Sequence, residues 1–117
     1  MKNSAFSEEL KEFTKICGLD QLTESEGKRF IIDDVEIALF KIGDDVYALE
    51  NICPHQHSAL IYDGFIEGEH VVCPAHGWMF NLKTGNLPSG SKGLDAYEVK
   101  ISENDIYVKI IPKNWNW

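Results

Sequence analysis

The amino-acid sequence predicts an all-β fold, an antiparallel sandwich or barrel. Short apolar runs rich in β-branched and aromatic side chains recur at close spacing, and polar turn residues separate them. Only Ser7 to Glu12 and Leu19 to Ser25 are expected to hold a helical turn. At 117 residues the chain has the length of one domain, so we expect residues 1–117 to form a single domain.

Turn residues mark the places where the predicted strands reverse direction. Asp33-Asp34 separates two long apolar runs and is typical of a tight hairpin turn, and Glu67-Gly68-Glu69 marks a second hairpin. Ser102-Glu103-Asn104-Asp105 separates the last two runs. The predicted strands are Lys28 to Ile32, Val35 to Ile42, Val46 to Leu49, Phe65 to Ile66, His70 to Val72, Ala96 to Ile101 and Ile106 to Ile111.

Net charge is −8, from 19 acidic and 11 basic residues. This balance disfavours nucleic acid as a partner, because phosphate contacts need a basic face. An acidic surface suits steering toward a basic patch on a protein partner, or simply keeps the chain soluble. No run approaches the ~18 apolar residues that span a membrane. The N-terminus is acidic where a signal peptide is apolar, so we expect a cytoplasmic protein without membrane association.

Two short motifs, Cys53-Pro54-His55 and Cys73-Pro74-Ala75-His76, indicate a metal site. Each motif offers one thiolate and one imidazole, and 17 residues separate His55 from Cys73. A 2Fe–2S cluster with two cysteines on one iron and two histidines on the other needs this ligand set. Two cysteines with two histidines also suit a structural zinc ion. Zinc motifs usually pair like with like at short spacing, which favours the cluster.

The flanking residues extend this pattern into a family resemblance. The segments from Cys53 to Leu60 and from Cys73 to Leu82 resemble those of Rieske iron–sulfur proteins. The resemblance implies a Rieske-like antiparallel β sandwich or barrel that carries an inserted cluster-binding lobe, about residues 51–86, with the cluster at its tip. It also implies that Cys53, His55, Cys73 and His76 bind one Rieske 2Fe–2S cluster per chain, the cysteines on the buried iron and the histidines on the outer iron.

Residues around the motifs predict a low reduction potential. High-potential Rieske proteins carry an extra cysteine in each loop, joined by a disulfide, and Ala75 stands at the second of these positions. Those proteins also use Ser and Tyr hydroxyl groups that hydrogen-bond to the cluster sulfurs. Trp78 and Phe80 stand at these positions and have no hydroxyl, so we expect a potential of roughly −150 mV.

The resemblance implies a function in electron transfer rather than catalysis. The main hypothesis is a ferredoxin of the type found in bacterial multicomponent oxygenases, which takes electrons from a reductase and passes them to a terminal oxygenase. The alternatives are a small subunit of an assimilatory nitrite reductase, and a structural zinc or redox-sensing module. Oxygen activation by this chain is excluded, because it has four histidines and the cluster uses two.

Three further residues are candidates with simpler explanations. Cys17 lies in an apolar-leaning run and is expected to be a small buried thiol. His57, two residues beyond His55, is a loop histidine, an additional ligand or a contact for a partner. His70 lies in a predicted strand and is expected to be structural.

Overall fold

Nearly all regular structure in the chain is β-strand. The computed structural model describes residues 12–53, 58–75 and 77–110. The helical elements in these ranges are two short 3-10 helices, Leu19–Gln21 and Ile61–Asp63, and no helix there is long and apolar enough to cross a membrane. The strands are β1 (Thr14–Gly18), β2 (Gly27–Ile32), β3 (Val35–Ile42), β4 (Asp45–Glu50), β5 (Ile52–Cys53), β6 (Ser58–Ala59), β7 (Phe65–Glu67), β8 (His70–Val72), β9 (Met79–Asn81), β10 (Ala96–Tyr97), β11 (Val99–Ser102) and β12 (Asp105–Val108).

The strands form four sheets whose paired strands all run antiparallel. Three strands associate in the order β1-β12-β11, and four in the order β10-β4-β3-β2. These two sheets form the body of the protein. Between β4 and β10 the chain builds two smaller sheets, β5-β6 and β7-β8-β9, which form a lobe. The predicted all-β fold with an inserted lobe is therefore confirmed.

Strand β3 is buried on both of its faces. Val35, Ile37 and Leu39 belong to a core that the two body sheets share. Ala38 and Phe40, which alternate with them, belong to a second core between the body and the lobe. A strand covered on both sides reads as an almost continuous apolar run, which explains why this segment of the sequence was easy to assign.

Both predicted hairpins are confirmed, at Asp33-Asp34 between β2 and β3 and at Glu67-Gly68-Glu69 between β7 and β8, and a third hairpin joins β11 to β12. Asp33 and Asp34, with φ of 51° and 67°, connect β2 to β3, and Glu103 and Asn104, with φ of 52° and 67°, connect β11 to β12. Two consecutive residues of positive φ match the right-handed twist of the flanking strands. Asp and Asn tolerate this conformation better than most residues, since their short polar side chains can hydrogen-bond locally.

One predicted strand was wrong in its extent. The run from Ala96 to Ile101 is two strands in different sheets, β10 beside β4 and β11 beside β12. The chain crosses between the sheets at Glu98, whose carbonyl accepts a hydrogen bond from the Lys109 N–H at 3.0 Å. Apolar and polar residues alternate from Tyr97 to Ile101 without a break at the crossing, so the sequence pattern did not reveal it.

Four strands were missed, namely β1, β5, β6 and β9. Strand β1 pairs with β12 and carries Cys17, which is 5% exposed, as expected of a buried thiol. The 3-10 helix at Leu19–Gln21 is shorter than the predicted turn from Leu19 to Ser25. The other predicted turn, Ser7 to Glu12, lies outside the described residues apart from Glu12.

A loop after β9 closes the lobe onto itself. The Asn81 side-chain oxygen accepts hydrogen bonds from the N–H groups of Lys83 and Thr84, at 2.8 and 3.0 Å. Gly85 then donates its N–H to the Asn81 carbonyl and accepts from the N–H of Leu94. Gly85 has φ of 79°, and a Cβ atom added there would lie 2.1 Å from the Leu94 carbonyl oxygen. Only glycine fits this position.

Replacing Gly85 by alanine is therefore expected to destabilise the protein strongly. Gly43→Ala is the matched control, because Gly43 also has positive φ (61°) but has open space around it. The control is expected to lower the free energy of unfolding by about 1 kcal/mol, because alanine disfavours the left-handed conformation. Gly85→Ala should lower it by at least about 2 kcal/mol more, because the backbone at Leu94 must also move. Urea unfolding followed by circular dichroism measures both, and equal losses would contradict the close approach to Leu94.

Candidate metal centre

Two cysteine side chains that are 20 residues apart in sequence converge inside the lobe. Cys53 ends β5 and Cys73 directly follows β8, and their Sγ atoms lie 3.5 Å apart. The side chains are 1% and 0% exposed, and neither sulfur belongs to a disulfide. A disulfide needs about 2.05 Å between sulfurs, so this pair is not bonded. Two sulfurs on one tetrahedral metal, each ~2.3 Å from it, would be ~3.8 Å apart. The pair therefore fits two ligands of a single metal ion.

The surroundings of this cysteine pair are apolar. Both residues belong to the second core, which also contains Ala38, Phe40, Leu49, Ile61, Val71, Phe80, Leu82 and Leu94. Two thiolates in such surroundings would carry a large desolvation cost unless a cation neutralised them. Metal binding supplies that neutralisation and couples occupancy of the site to folding.

The connection that carries Cys53 from β4 to the 3-10 helix at Ile61–Asp63 is called here the first cysteine loop. Asn51 anchors this loop to the body of the protein. Its side chain is fully buried, and both of its polar atoms form hydrogen bonds. Nδ2 donates to Oε1 of Glu36 at 2.9 Å, and Oδ1 accepts from the Tyr62 N–H at 2.7 Å. Its backbone N–H donates to the Glu36 carbonyl, and its carbonyl accepts from the Ile61 N–H. Asn51 therefore ties the start of the loop, two residues before Cys53, to its end and to β3.

Glu36 is held in turn by Arg29 on β2. Arg29 Nε and Nη2 lie 2.9 and 2.5 Å from the two carboxylate oxygens, a two-point contact. The hydrogen bond from Arg29, more than that from Asn51, lowers the pKa of Glu36 below its usual range. The same contact raises the pKa of Arg29. Glu36 is therefore an ionised acceptor at neutral pH, and Arg29, Glu36 and Asn51 form one network beneath the loop.

The second cysteine loop, which connects β8 to β9 and begins at Cys73, is closed by backbone hydrogen bonds. The Cys73 N–H donates to the Trp78 carbonyl at 2.8 Å, and the Gly77 N–H donates to the Cys73 carbonyl at 2.9 Å. Gly77 has φ of 74°, which suits glycine. Trp78 packs at a tilt against Phe80, with ring centroids 6.5 Å apart. These hydrogen bonds hold Cys73 in place directly after β8, which pairs with β7 and β9.

The structure describes only half of the predicted ligand set. It brings Cys53 and Cys73 together, whereas His55, His57 and His76 lie outside the described residues. Within the described ranges no group of three or more ligand-type side chains converges. His70 is half-buried in β8, opposite Glu67 and Asn81, as a structural residue would be.

Sequence reasoning missed the network of Arg29, Glu36 and Asn51. One signal was present: Glu36 is a single charged residue within the apolar run from Val35 to Phe40. A charge in such a strand needs a partner, and the sequence contained no indication of which residue supplies it.

The fold and the cysteine pair define a β protein whose inserted lobe contains two buried thiols at a separation that suits one metal ion. Residues 12–109 match the family model described as a Rieske-like [2Fe-2S] domain. The chain belongs to this family, and its cofactor is a Rieske 2Fe–2S cluster. The resemblance inferred from the two motifs is confirmed.

Two relatives that are more than 30% identical to this chain are named as ferredoxins. The chain is 32% identical to a ferredoxin component of the naphthalene 1,2-dioxygenase/salicylate 5-hydroxylase systems of Ralstonia sp., covering 79% of this chain and 89% of that one. It is 31% identical to the ferredoxin CarAc of Metapseudomonas resinovorans, covering 80% and 90%.

Solved structures agree with this assignment. The ferredoxin of carbazole 1,9a-dioxygenase from Nocardioides aromaticivorans IC177 superposes with a TM-score of 0.73 at 28% identity, covering 82% of this chain and 95% of that one. A ferredoxin in complex with the oxygenase of carbazole 1,9a-dioxygenase superposes with a TM-score of 0.72 at 27% identity, covering 83% of this chain and 92% of that one. The nitrite reductase small subunit of Erwinia carotovora superposes with a TM-score of 0.74 at 22% identity, covering 88% of this chain and 85% of that one. This likeness shows a shared fold.

Removing the Asn51 side chain is expected to loosen the first cysteine loop. Asn51→Ala leaves the Tyr62 N–H without its buried partner and removes one of the two hydrogen bonds to Glu36 Oε1, at about 1–3 kcal/mol. Cluster loss, followed as bleaching of the visible absorbance in urea, should be several times faster than in the unsubstituted protein. Asn86→Ala is the control, because Asn86 contributes its backbone N–H and carbonyl to a surface turn. Equal bleaching rates in the two variants would refute the anchoring role.

Proposed function

We propose that this chain is a one-electron carrier that takes electrons from a reductase and delivers them to a terminal oxygenase. The observation that carries the proposal is the buried pair of cysteines, 3.5 Å apart and not disulfide-bonded, in a chain of the Rieske-like family. The names of its relatives, ferredoxin components of dioxygenase systems, support an electron carrier rather than a catalyst. A neighbouring structure that contains both a ferredoxin and an oxygenase supports the choice of acceptor.

Cys53 and Cys73 hold the inner iron in this proposal, and His55 and His76 hold the outer iron. When bound, the cluster supplies a couple that accepts and releases one electron. The protein's task is to hold the two thiolates at a fixed separation in an apolar core. The hydrogen-bonded ends of both loops support this task, because they limit how far Cys53 and Cys73 can move.

We further propose a potential near the lower end of the Rieske range, roughly −150 mV. Phe80 is fully buried in the same apolar core as the two cysteines, and Trp78 packs against it. Neither side chain has a hydroxyl to donate to a cluster sulfur. Hydrogen bonds to the sulfurs are one of the means by which a protein raises the potential.

The alternatives from the sequence have weaker support. A solved structure named as a nitrite reductase small subunit matches at 28% identity, as the carbazole dioxygenase ferredoxin does, but two relatives above 30% identity are both named as ferredoxins. The cysteine separation would also accept zinc, but the family model favours a 2Fe–2S cluster. We propose a cytoplasmic location for this carrier. We also propose that residues 1–117 form one domain, in which residues 51–86 make the cluster-binding lobe.

Alanine substitutions test the four proposed ligands. Cys53→Ala, Cys73→Ala, His55→Ala and His76→Ala should each reduce the iron content from about two atoms per chain to nearly none, since each removes one of the four ligands. Iron and zinc assays, together with the EPR spectrum after dithionite reduction, measure this.

The matched controls are Cys17→Ala, His57→Ala and His70→Ala, which change the same residue types elsewhere in the chain. Iron content and the EPR signal should be unchanged in all three. Iron loss in His57→Ala would make His57 a ligand or a support for one, and one zinc per unsubstituted chain would replace the electron-transfer proposal with a structural site.

A redox titration tests the proposed role directly. The purified protein should accept a single electron with a midpoint near −150 mV, low enough to reduce an oxygenase and unsuited to oxidising quinol. Absorbance recorded against applied potential gives both the midpoint and the electron number. A midpoint near the upper end of the range, roughly +300 mV, would contradict the proposal.

A further inference from the structure

The three-stranded sheet of the lobe, β7-β8-β9, is called here the lobe sheet. Its outer face carries a row of apolar residues at the end where β8 leads into Cys73. Phe65 on β7 lies opposite Val72 on β8, which lies opposite Met79 on β9. Directly opposed residues of antiparallel strands share one face of a sheet. The adjacent trio, Ile66, Val71 and Phe80, packs into the second core. Phe65, Val72 and Met79 therefore form a row on the opposite face, called here the outer row.

The outer row presents an exposed aromatic side chain. Phe65 is 57% exposed, Met79 is half-buried, and Val72 is 5% exposed. An aromatic side chain left largely in water next to further apolar surface is typical of the centre of a protein interface. The larger hydrophobic side chains exposed on the body, Ile31 and Ile101, lie on β2 and β11, away from the lobe sheet.

The outer row lies close to the metal centre along the chain. Val72 directly precedes Cys73, and Phe65 is the register partner of Val72. Consecutive Cα atoms are 3.8 Å apart and opposed Cα atoms about 5 Å, so the Phe65 Cα lies within about 10 Å of the Cys73 Cα. A protein seated on the outer row would therefore be near the cluster.

Carboxylates surround this apolar row. From Asn51 to Leu82 the sequence contains three acidic residues and no Lys or Arg. Asp63 lines a surface groove together with Glu26 and Phe65. Glu67 is exposed and shares the outer face with Phe65, two residues away on the same strand. The outer row thus has acidic neighbours on more than one side.

We propose that the outer row is the apolar centre, and Asp63, Glu67 and Glu26 the acidic rim, of the surface on which the redox partner docks. The partner presents an apolar patch edged by Lys or Arg. This inference rests on the proposed function and adds the location and chemistry of the contact. A second copy of the chain is disfavoured as the occupant, because it would bring like-charged rims together on a chain of net charge −8.

Electron transfer to a basic acceptor tests the surface. The probe is mitochondrial cytochrome c, a basic one-electron acceptor, mixed with the dithionite-reduced protein in a stopped-flow instrument at several salt concentrations. Asp63→Lys combined with Glu67→Lys should slow the second-order rate about tenfold at low salt, and the difference should shrink as salt screens the charges. Phe65→Ser should slow the rate several-fold at every salt concentration, because it removes apolar contact.

The controls change the same residue types outside the lobe. Asp20→Lys combined with Glu103→Lys makes the same change in net charge, and both residues are exposed. Asp20 lies in the 3-10 helix that follows β1, and Glu103 lies in the β11–β12 turn next to it. Ile101→Ser matches Phe65→Ser. All controls should stay within about twofold of the unsubstituted rate.

Each other result overturns the inference. Equal slowing by control and rim variants would mean that net charge, not this surface, guides docking. An unchanged rate in Phe65→Ser would remove the apolar centre. Sedimentation that shows a dimer dissociated by Phe65→Ser would make a second copy the occupant. Iron content, EPR signal and midpoint potential, measured on every variant first, separate these outcomes from failure of the proposed function, which would show as the absence of a 2Fe–2S signal in the unsubstituted protein.

Discussion

The burial of strand β3 on both faces is the constraint on which the arrangement of the protein depends. Ile37 and Leu39 join the core between the two body sheets, while Ala38 and Phe40 join the core beneath the lobe. Because the second core also contains both cysteines, the packing that holds the lobe to the body also holds the two thiols proposed as ligands. The lobe sheets have few strands and little surface to bury, and sheets of that size are only marginally stable alone. Their attachment to β3 and β4 supplies the missing contact.

Polar contacts refine what this packing begins. The fully buried Asn51 makes four hydrogen bonds to Glu36, Ile61 and Tyr62, which fix the entry and exit of the first cysteine loop. The Glu36 carboxylate accepts one of these four hydrogen bonds as an ion, because Arg29 neutralises it at the edge of the sheet. Such a network stabilises one geometry of the loop only while every member is satisfied, since an unpaired buried group is costly. Hydrophobic packing therefore sets the position of the lobe, and the network sets the position of Cys53 within it.

An electron carrier needs a protected centre and an accessible surface close to it. The lobe sheet separates these requirements by its two faces. Val71 and Phe80 cover the cysteines from within the second core, whereas Phe65 on the outer face remains exposed. The alternation of side chains along three short strands produces both environments within a few ångströms. Acidic residues near the outer row make association dependent on charge, which suits a complex that forms and dissociates at each transfer.

The sequence by itself determined the features that arise from neighbouring residues. The Asp33-Asp34 turn, the apolar run of β3 and the ligand types of the two cysteine motifs each depend on a few consecutive residues, so the all-β class, the family and the cofactor could all be predicted. The tertiary structure decided what depends on residues far apart in the chain. The division of the run from Ala96 to Ile101 between two sheets, the pairing of β1 with β12, and the 3.5 Å between Cys53 and Cys73 are of this kind. So is the role of Asn51, whose partner Glu36 lies 15 residues earlier. Local patterns report which face of a strand is buried, but they do not report which distant strand or side chain covers it, because that choice is made by the packing of the whole chain.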